Sequence, residues 1–146
     1  MGIEFRTGNI FESDCETIVN PINCVGVMGK GLALEFRKRY PRMYEDYVAR
    51  CKASMVKIGE PYLYRDVNKN ILNFPTKYHW RNPSKLEYVT KGLDWFVNNY
   101  QELGIKSIAF VPLGCGLGGL NWKVVKKEMI ERLEKLPVKI VIYEQP

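Results

Sequence analysis

Apolar positions along this chain switch between two rhythms, and the switching predicts strands interleaved with helices. Residues 3–6 and 17–19 read as short strands, the second β-branched and apolar through Thr17, Ile18 and Val19. A glycine-rich stretch, residues 23–31, follows. A helical run then reaches about Tyr40, with Leu32, Phe36 and Tyr40 on one face. Pro41 suits the first position of another helix, along which Tyr44, Tyr47, Val48 and Cys51 recur at helical spacing. Residues 61–65 and 70–74 read as two strands joined by a polar turn, residues 66–69. Ser84 and Glu87 have capping-box spacing, which predicts a helix with Leu86, Val89, Leu93, Phe96 and Tyr100 on its buried face. Gly104 ends it. Residues 107–111 are an apolar run suited to a strand covered on both faces, and a second glycine-rich loop spans residues 114–119. Trp122, Val125, Met129 and Leu133 mark a last helix, and residues 138–143 a last strand. The order predicts one α/β domain over residues 1–146, with helices layered on a sheet. The adjacent strand pair before residue 75 makes that sheet mixed.

Composition narrows the class. A chain of 146 residues buries a core without disulfides or metals. No apolar run approaches the ~20 residues a spanning helix needs, and the start, Met1-Gly2-Ile3-Glu4, does not read as a signal peptide. Cys15, Cys24, Cys51 and Cys115 have no C-x-x-C spacing, and His79 is the one histidine. Neither a metal site nor a cofactor is expected, and scattered thiols suit a cytoplasmic protein. The net charge of +6 suits an anionic partner, and equally a solvated lysine-rich surface. Arg37, Lys38, Arg39 and Arg42 are basic candidates, or the solvated side of a helix.

Three segments could carry chemistry. Each glycine-rich loop follows a strand and precedes a helix, where close backbone amides form an anion cradle. The second loop satisfies G-x-G-x-x-G, and Glu144 lies about where a dinucleotide fold places its acidic residue. Only 27 residues follow that loop, too few for the rest of such a fold. A phosphate-loop reading of Gly29-Lys30 fails, because Gly31 stands where Ser or Thr belongs. Asn20 and Asn23 either hydrogen-bond sugar hydroxyls or merely terminate a strand. Lys77 sits just past a strand among Tyr78, His79, Trp80 and Arg81. In a desolvated cleft it would be a nucleophile or a fixed positive charge; on an open loop it would be neither. Trp80 belongs either to the core or to a surface that stacks on a nucleobase.

These pieces, in this order, resemble the macrodomain family. The likeness rests on Gly8-Asn9-Ile10, Asn20-x-x-Asn23, the loop Gly26-Val27-Met28-Gly29-Lys30-Gly31, and residues 114–119 before Trp122. Residues 23–34, residues 73–77 with His79-Trp80-Arg81, and residues 113–122 are similar to the DarG-type antitoxin macrodomains and to the related terminal ADP-ribose protein glycohydrolases. The resemblance implies a three-layer α/β/α sandwich with a mixed sheet of about six strands and an ADP-ribose cleft at its crest. It places Asn9, the Ile10 amide and Tyr143 around the adenine. It places the amides of Gly114, Cys115, Gly116, Leu117, Gly118 and Gly119 on the pyrophosphate. Asn20, Asn23, Gly26, Met28, Gly29 and Gly31 would hold the distal ribose, with Thr76 also in the ligand set. Lys77 would be catalytic, and Tyr78, His79, Trp80 and Arg81 would touch nucleic acid. The implied activity is removal of ADP-ribose from thymidine in single-stranded DNA, as an antitoxin to a cognate ADP-ribosyltransferase. The implied protein is a monomer without a cofactor. The alternatives are a reader without turnover, or a hydrolase of glutamate ADP-ribose esters or O-acetyl-ADP-ribose. Protein-directed relatives place Asp where this chain has Gly118, so their acid–base role is vacant here.

Overall fold

The computed structural model describes residues 2–144. Its six strands are β1 (Ile3–Thr7), β2 (Thr17–Asn23), β3 (Tyr62–Arg65), β4 (Asn70–Lys77), β5 (Ser107–Phe110) and β6 (Lys139–Glu144). Its four α-helices are α1 (Gly31–Arg39), α2 (Pro41–Lys52), α3 (Leu86–Asn99) and α4 (Trp122–Leu133). The strands form one sheet in the order β1-β6-β5-β2-β4-β3. All neighbours run parallel except β3 and β4, the expected hairpin.

The two-residue period of the inner strands sorts side chains to two cores. Ile108 and Phe110 of β5, with Ile140 and Ile142 of β6, face Val89, Leu93 and Phe96 of α3 and Val125, Met129 and Leu133 of α4. Ala109 and Val141, the alternate positions, face Phe36 of α1 and Met43 and Tyr47 of α2. The result is an α/β/α sandwich. Gly92 lets α3 approach the sheet closely: a Cβ there would stand 2.3 Å from Phe74 Cζ. The lost helix propensity, about 1 kcal/mol, is offset by burying that ring.

The two helices on either side of Tyr40 are separate as expected, because the residue before a proline is driven out of the helical region. Several local expectations shift. β2 continues through Asn20 and Pro21 to Asn23. Pro21 is tolerated because β5 pairs with β2 only at Thr17 and Ile18, so no β5 acceptor awaits its missing N–H. The capping box is not formed. The N-cap of α3 is Lys85, with no side-chain cap, while Ser84 is buried and donates its backbone N–H to the Gly118 carbonyl at 3.0 Å. Gly104, at φ +72°, lies beyond the end of α3 and closes the turn that follows.

β2 leaves the sheet toward α1, and its neighbour β5 leaves toward α4 on the opposite face. Between the carboxyl ends of two strands that diverge in this way, a crevice opens. Both glycine-rich loops border it.

A candidate ligand crevice at the carboxyl ends of the strands

The first loop is tied down by side chains. Asn23 donates Nδ2–H to the Val27 carbonyl at 2.8 Å and accepts the Val25 N–H on Oδ1 at 3.1 Å. The Tyr47 hydroxyl lies 2.7 Å from Asn23 Oδ1 and 2.8 Å from its carbonyl. Burial pushes that phenol well above an ordinary tyrosine, so it stays a donor. Asn23 is therefore spent on shaping its loop, not held out toward a sugar. Met28 is fully buried and lies over Asn20, whose Nδ2 is 3.8 Å from Met28 Sδ and donates to Asn73 Oδ1 at 3.0 Å. Asn73 in turn donates to the Tyr62 hydroxyl at 3.1 Å. Asn20 is itself fully buried. Gly26 and Gly29 remain on the loop, and Gly31 opens α1. Lys30, the N-cap of α1, supplies no side-chain cap, so amides of the first turn are free donors at the positive end of the helix.

The second loop is tied down by backbone. Leu120 N–H donates to the Gly114 carbonyl at 2.9 Å, and Gly119 N–H to the Gly116 carbonyl at 3.2 Å. A Cβ on Gly118 would stand 2.4 Å from the Gly114 carbonyl oxygen and 2.3 Å from Ser84 Oγ. No side chain fits at this position, so the vacancy of an acidic group there is steric as well as chemical. The amides of Gly116, Leu117 and Gly118 have no acceptor among the described residues. Leu117 reaches across to the first loop, where a Cβ on Gly31 would be 3.6 Å from Leu117 Cδ1. Burial pushes the Cys115 and Cys24 thiols up to about 11, so neither is a thiolate nucleophile at neutral pH.

Lys77 arrives beside the first loop through a bulge. Ile22 opposes Pro75 and Asn23 opposes Lys77, which leaves Thr76 as the extra, buried residue of β4. Cys24 N–H then donates to the Tyr78 carbonyl at 3.0 Å, fixing the first loop beside the lysine segment. Lys77 Nζ donates to the Trp80 carbonyl at 3.1 Å and has no carboxylate partner among the described residues. Partial burial lowers its pKa. Trp80 is not a core residue: it is 42% exposed, its ring 5.1 Å from that of His79, with the Arg81 guanidinium 4.6 Å above it. Tyr78, 54% exposed, meets Tyr88 edge-on at 5.4 Å. The segment is an exposed aromatic surface that carries the Arg81 charge, just past the end of β4. The Arg37 and Arg39 guanidiniums stack over the rings of Tyr44 and Phe11.

At the far end, Asn9 caps a short 3-10 turn, its Oδ1 accepting the Phe11 N–H at 2.9 Å. One lone pair of that oxygen remains for a ligand amino group. Ile10 is buried, and Tyr143 packs in the same core rather than presenting an open ring. Glu144 accepts from Trp122 Nε1 at 2.9 Å and from Lys126 Nζ at 2.8 Å, and these two donors hold its carboxyl below the usual range. It is engaged and not available to a dinucleotide ribose. Sequence reasoning missed Tyr47, Ser84 and the bulge at Thr76. The helical spacing of Tyr47 signalled only a core position.

Among the described residues, two buried side-chain atoms find no hydrogen-bond partner, Asn20 Oδ1 and Ser84 Oγ. One lies beneath each loop. No cluster of three metal-ligating side chains occurs among the described residues.

Comparison with known proteins agrees with this architecture. A DNA ADP-ribosyl glycohydrolase of Mycobacterium tuberculosis is 45% identical over 146 aligned residues, covering 97% of this chain and 42% of the relative. A DNA ADP-ribosyl transferase-DNA ADP-ribosyl glycohydrolase fusion protein of Thermosipho africanus is 39% identical, covering 93% of this chain and 40% of the relative. This chain thus spans less than half the length of these curated relatives. Among solved structures, the macrodomain of Mycobacterium tuberculosis DarG superposes with a TM-score of 0.93 at 44% identity, covering 97% of this chain and 96% of that one. Thermosipho africanus DarTG in complex with ADP-ribose superposes with a TM-score of 0.94 at 38% identity, covering 99% of this chain and 42% of that one. The family model for the Macro domain matches residues 19–129, which run from β2 into α4 and take in both loops and Lys77, and the chain belongs to that family.

Proposed function

We propose that this chain is an ADP-ribosyl hydrolase that removes ADP-ribose from thymidine in single-stranded DNA. The observation that carries the reading is Lys77: a bulge seats it beside the first glycine-rich loop, partly desolvated and without a carboxylate partner among the described residues. The names of the relatives, and ADP-ribose in the Thermosipho africanus structure, support the ligand. The diphosphate sits on the amides of Gly116, Leu117 and Gly118 and faces the first turn of α1, where helix and backbone donors favour an anion. That binding energy holds the distal ribose with its anomeric carbon at Lys77 Nζ.

The neutral amine of Lys77 attacks the anomeric carbon as the bond to the thymine nitrogen breaks. The bonding pair passes to the thymine ring, whose carbonyls spread the charge, and the proton released from Nζ goes to the thymine nitrogen. Ring opening then gives an imine: the nitrogen pair displaces the ring oxygen, and the remaining proton on Nζ passes to that oxygen. Water adds to the imine, frees ADP-ribose and restores the amine, so one water is consumed overall.

Burial favours the neutral amine, so activity should rise with pH and level off below the ordinary lysine value of 10.5. Lys77→Ala should reduce turnover of an ADP-ribosylated thymidine oligonucleotide at least about a hundredfold. Borohydride added during turnover should leave an ADP-ribose adduct on Lys77. An unchanged rate in the variant removes Lys77 from the reaction. An activity that falls as pH rises, with no adduct, makes Lys77 a fixed cation instead. Binding of ADP-ribose with no base release from any conjugate makes the chain a reader.

Trp80, His79 and Tyr78 offer faces and edges to unstacked bases beside the modified one, and Arg81 offers charge to the strand. Oligonucleotide binding should weaken as salt is added, because contacts to phosphates release counterions. The transferase in the name of the Thermosipho africanus fusion supports a cognate ADP-ribosyltransferase as partner. Every group used in the reaction comes from one chain, so a monomer suffices. No helix among the described residues is long and apolar enough to cross a membrane, and a DNA substrate puts the work in the cytoplasm.

A further inference from the structure

Ser84 has been pulled out of the helix cap its sequence suggests and buried under the second loop. Its backbone N–H donates to the Gly118 carbonyl at 3.0 Å. Its side chain fills a notch that exists only because residues 114 and 118 are glycines: a Cβ on Gly114 would be 3.2 Å from Ser84 Cβ, and one on Gly118 would be 2.3 Å from Ser84 Oγ. Ser84 is 5% exposed, and its Oγ finds no partner among the described residues. A buried hydroxyl left this way is costly, and a structure keeps one only for a reason.

The carbonyl oxygen of Gly114 stands 2.4 Å from the point where a Gly118 Cβ would be, on which Ser84 Oγ also closes. Both oxygens therefore crowd the same point, where the missing side chain would start. The Gly114 carbonyl already accepts from Leu120 N–H, and a second lone pair remains. The amides of Gly116, Leu117 and Gly118 lie on the same short loop and have no acceptor among the described residues.

We propose that Ser84 is a positioning residue that latches the second loop onto its anionic ligand. When the loop closes on a diphosphate, the Ser84 hydroxyl donates to the Gly114 carbonyl, and the orphan of the free protein becomes satisfied. Ligand affinity thus includes the relief of an unpaired hydroxyl that the free protein carries. The inference rests on the reading that this loop binds the diphosphate of ADP-ribose.

The test is Ser84→Ala, with two readouts of opposite sign. The melting temperature of the free variant should equal or exceed that of the parent, since no hydrogen bond is lost and a buried orphan is removed. Calorimetric affinity for ADP-ribose should fall about tenfold, and KM for the oligonucleotide should rise by the same factor. Unchanged affinity, or affinity and melting temperature falling together as for a purely structural residue, overturns the latch alone. A parent protein that does not bind ADP-ribose overturns the functional reading and the latch with it.

Discussion

The two glycine-rich loops border one crevice but are held by opposite means. The first is built by side chains: Asn23 folds back on Val25 and Val27, Tyr47 reaches in from α2, and Met28 plugs the core. The second is built by the lack of them: Gly114 and Gly118 meet Ser84 and one another where a Cβ would collide. Glycine content therefore does not report how a loop is held. The first loop fails through lost hydrogen bonds, and the second through added volume.

Gly118→Ala is the sharpest way to separate them. The new methyl would lie 2.3 Å from Ser84 Oγ and 2.4 Å from a backbone oxygen, and backbone cannot simply rotate away. Overpacking of this kind costs about 1–3 kcal/mol. The displaced loop also misaligns amides aimed at a charged ligand, each worth about 1.5–3 kcal/mol. Titration with ADP-ribose should show affinity lost by about a hundredfold. Near-parental affinity would mean that the loop is more pliant than its contacts indicate.

Asn23→Ala should do less, and by the other route. It removes the bonds to Val25 and Val27 and one of two acceptors for Tyr47. Chemical denaturation should show a loss of about 2–3 kcal/mol, with ADP-ribose affinity down about tenfold as the loop loosens. Tyr47→Phe, which leaves the Asn23 amide on Val27, should reach about half that loss of stability. If Asn23→Ala spares stability but abolishes binding, Asn23 touches the ligand after all, and the contrast between the loops breaks.

Much of this scaffold was legible because its signals are local. The buried face of α4, from Trp122 through Val125, Met129 and Leu133, and the apolar run of β5 follow from periodicity alone. The hairpin of β3 and β4 followed from its polar turn. What escaped depends on partners distant in the chain. Ser84 and Glu87 spell a capping box, yet Ser84 goes to Gly118 because the second loop offers both a carbonyl and a notch. Asn23 reads as a sugar ligand until Tyr47 arrives from another helix. Type and neighbours make Lys77 only a candidate, whose catalytic role the family resemblance implies, and the bulge that places it is a matter of register between β2 and β4, which no single strand encodes. Trp80 reads first as a core residue by its type, and its place past the end of β4 leaves it on the surface instead.

Gly116→Ala tests whether the second loop needs glycine everywhere or only at its contact points. Gly116 lies two residues from Gly118, yet a Cβ built on it meets nothing within 4 Å, and its φ is not in the left-handed region. Its carbonyl accepts from Gly119 N–H, a bond that alanine retains. Replacement also removes backbone freedom from the unfolded chain, which favours folding by about 0.4–1 kcal/mol where the native conformation is unstrained. The melting temperature should therefore hold or rise by a degree or two, and ADP-ribose affinity should stay within about twofold. That outcome beside a severe Gly118→Ala would locate the steric demand at the Ser84 notch. A large loss of binding, with stability retained, would instead mean that ligand backbone or sugar packs directly on the Gly116 Cα, and that the glycines of this loop serve ligand contact as well as self-contact.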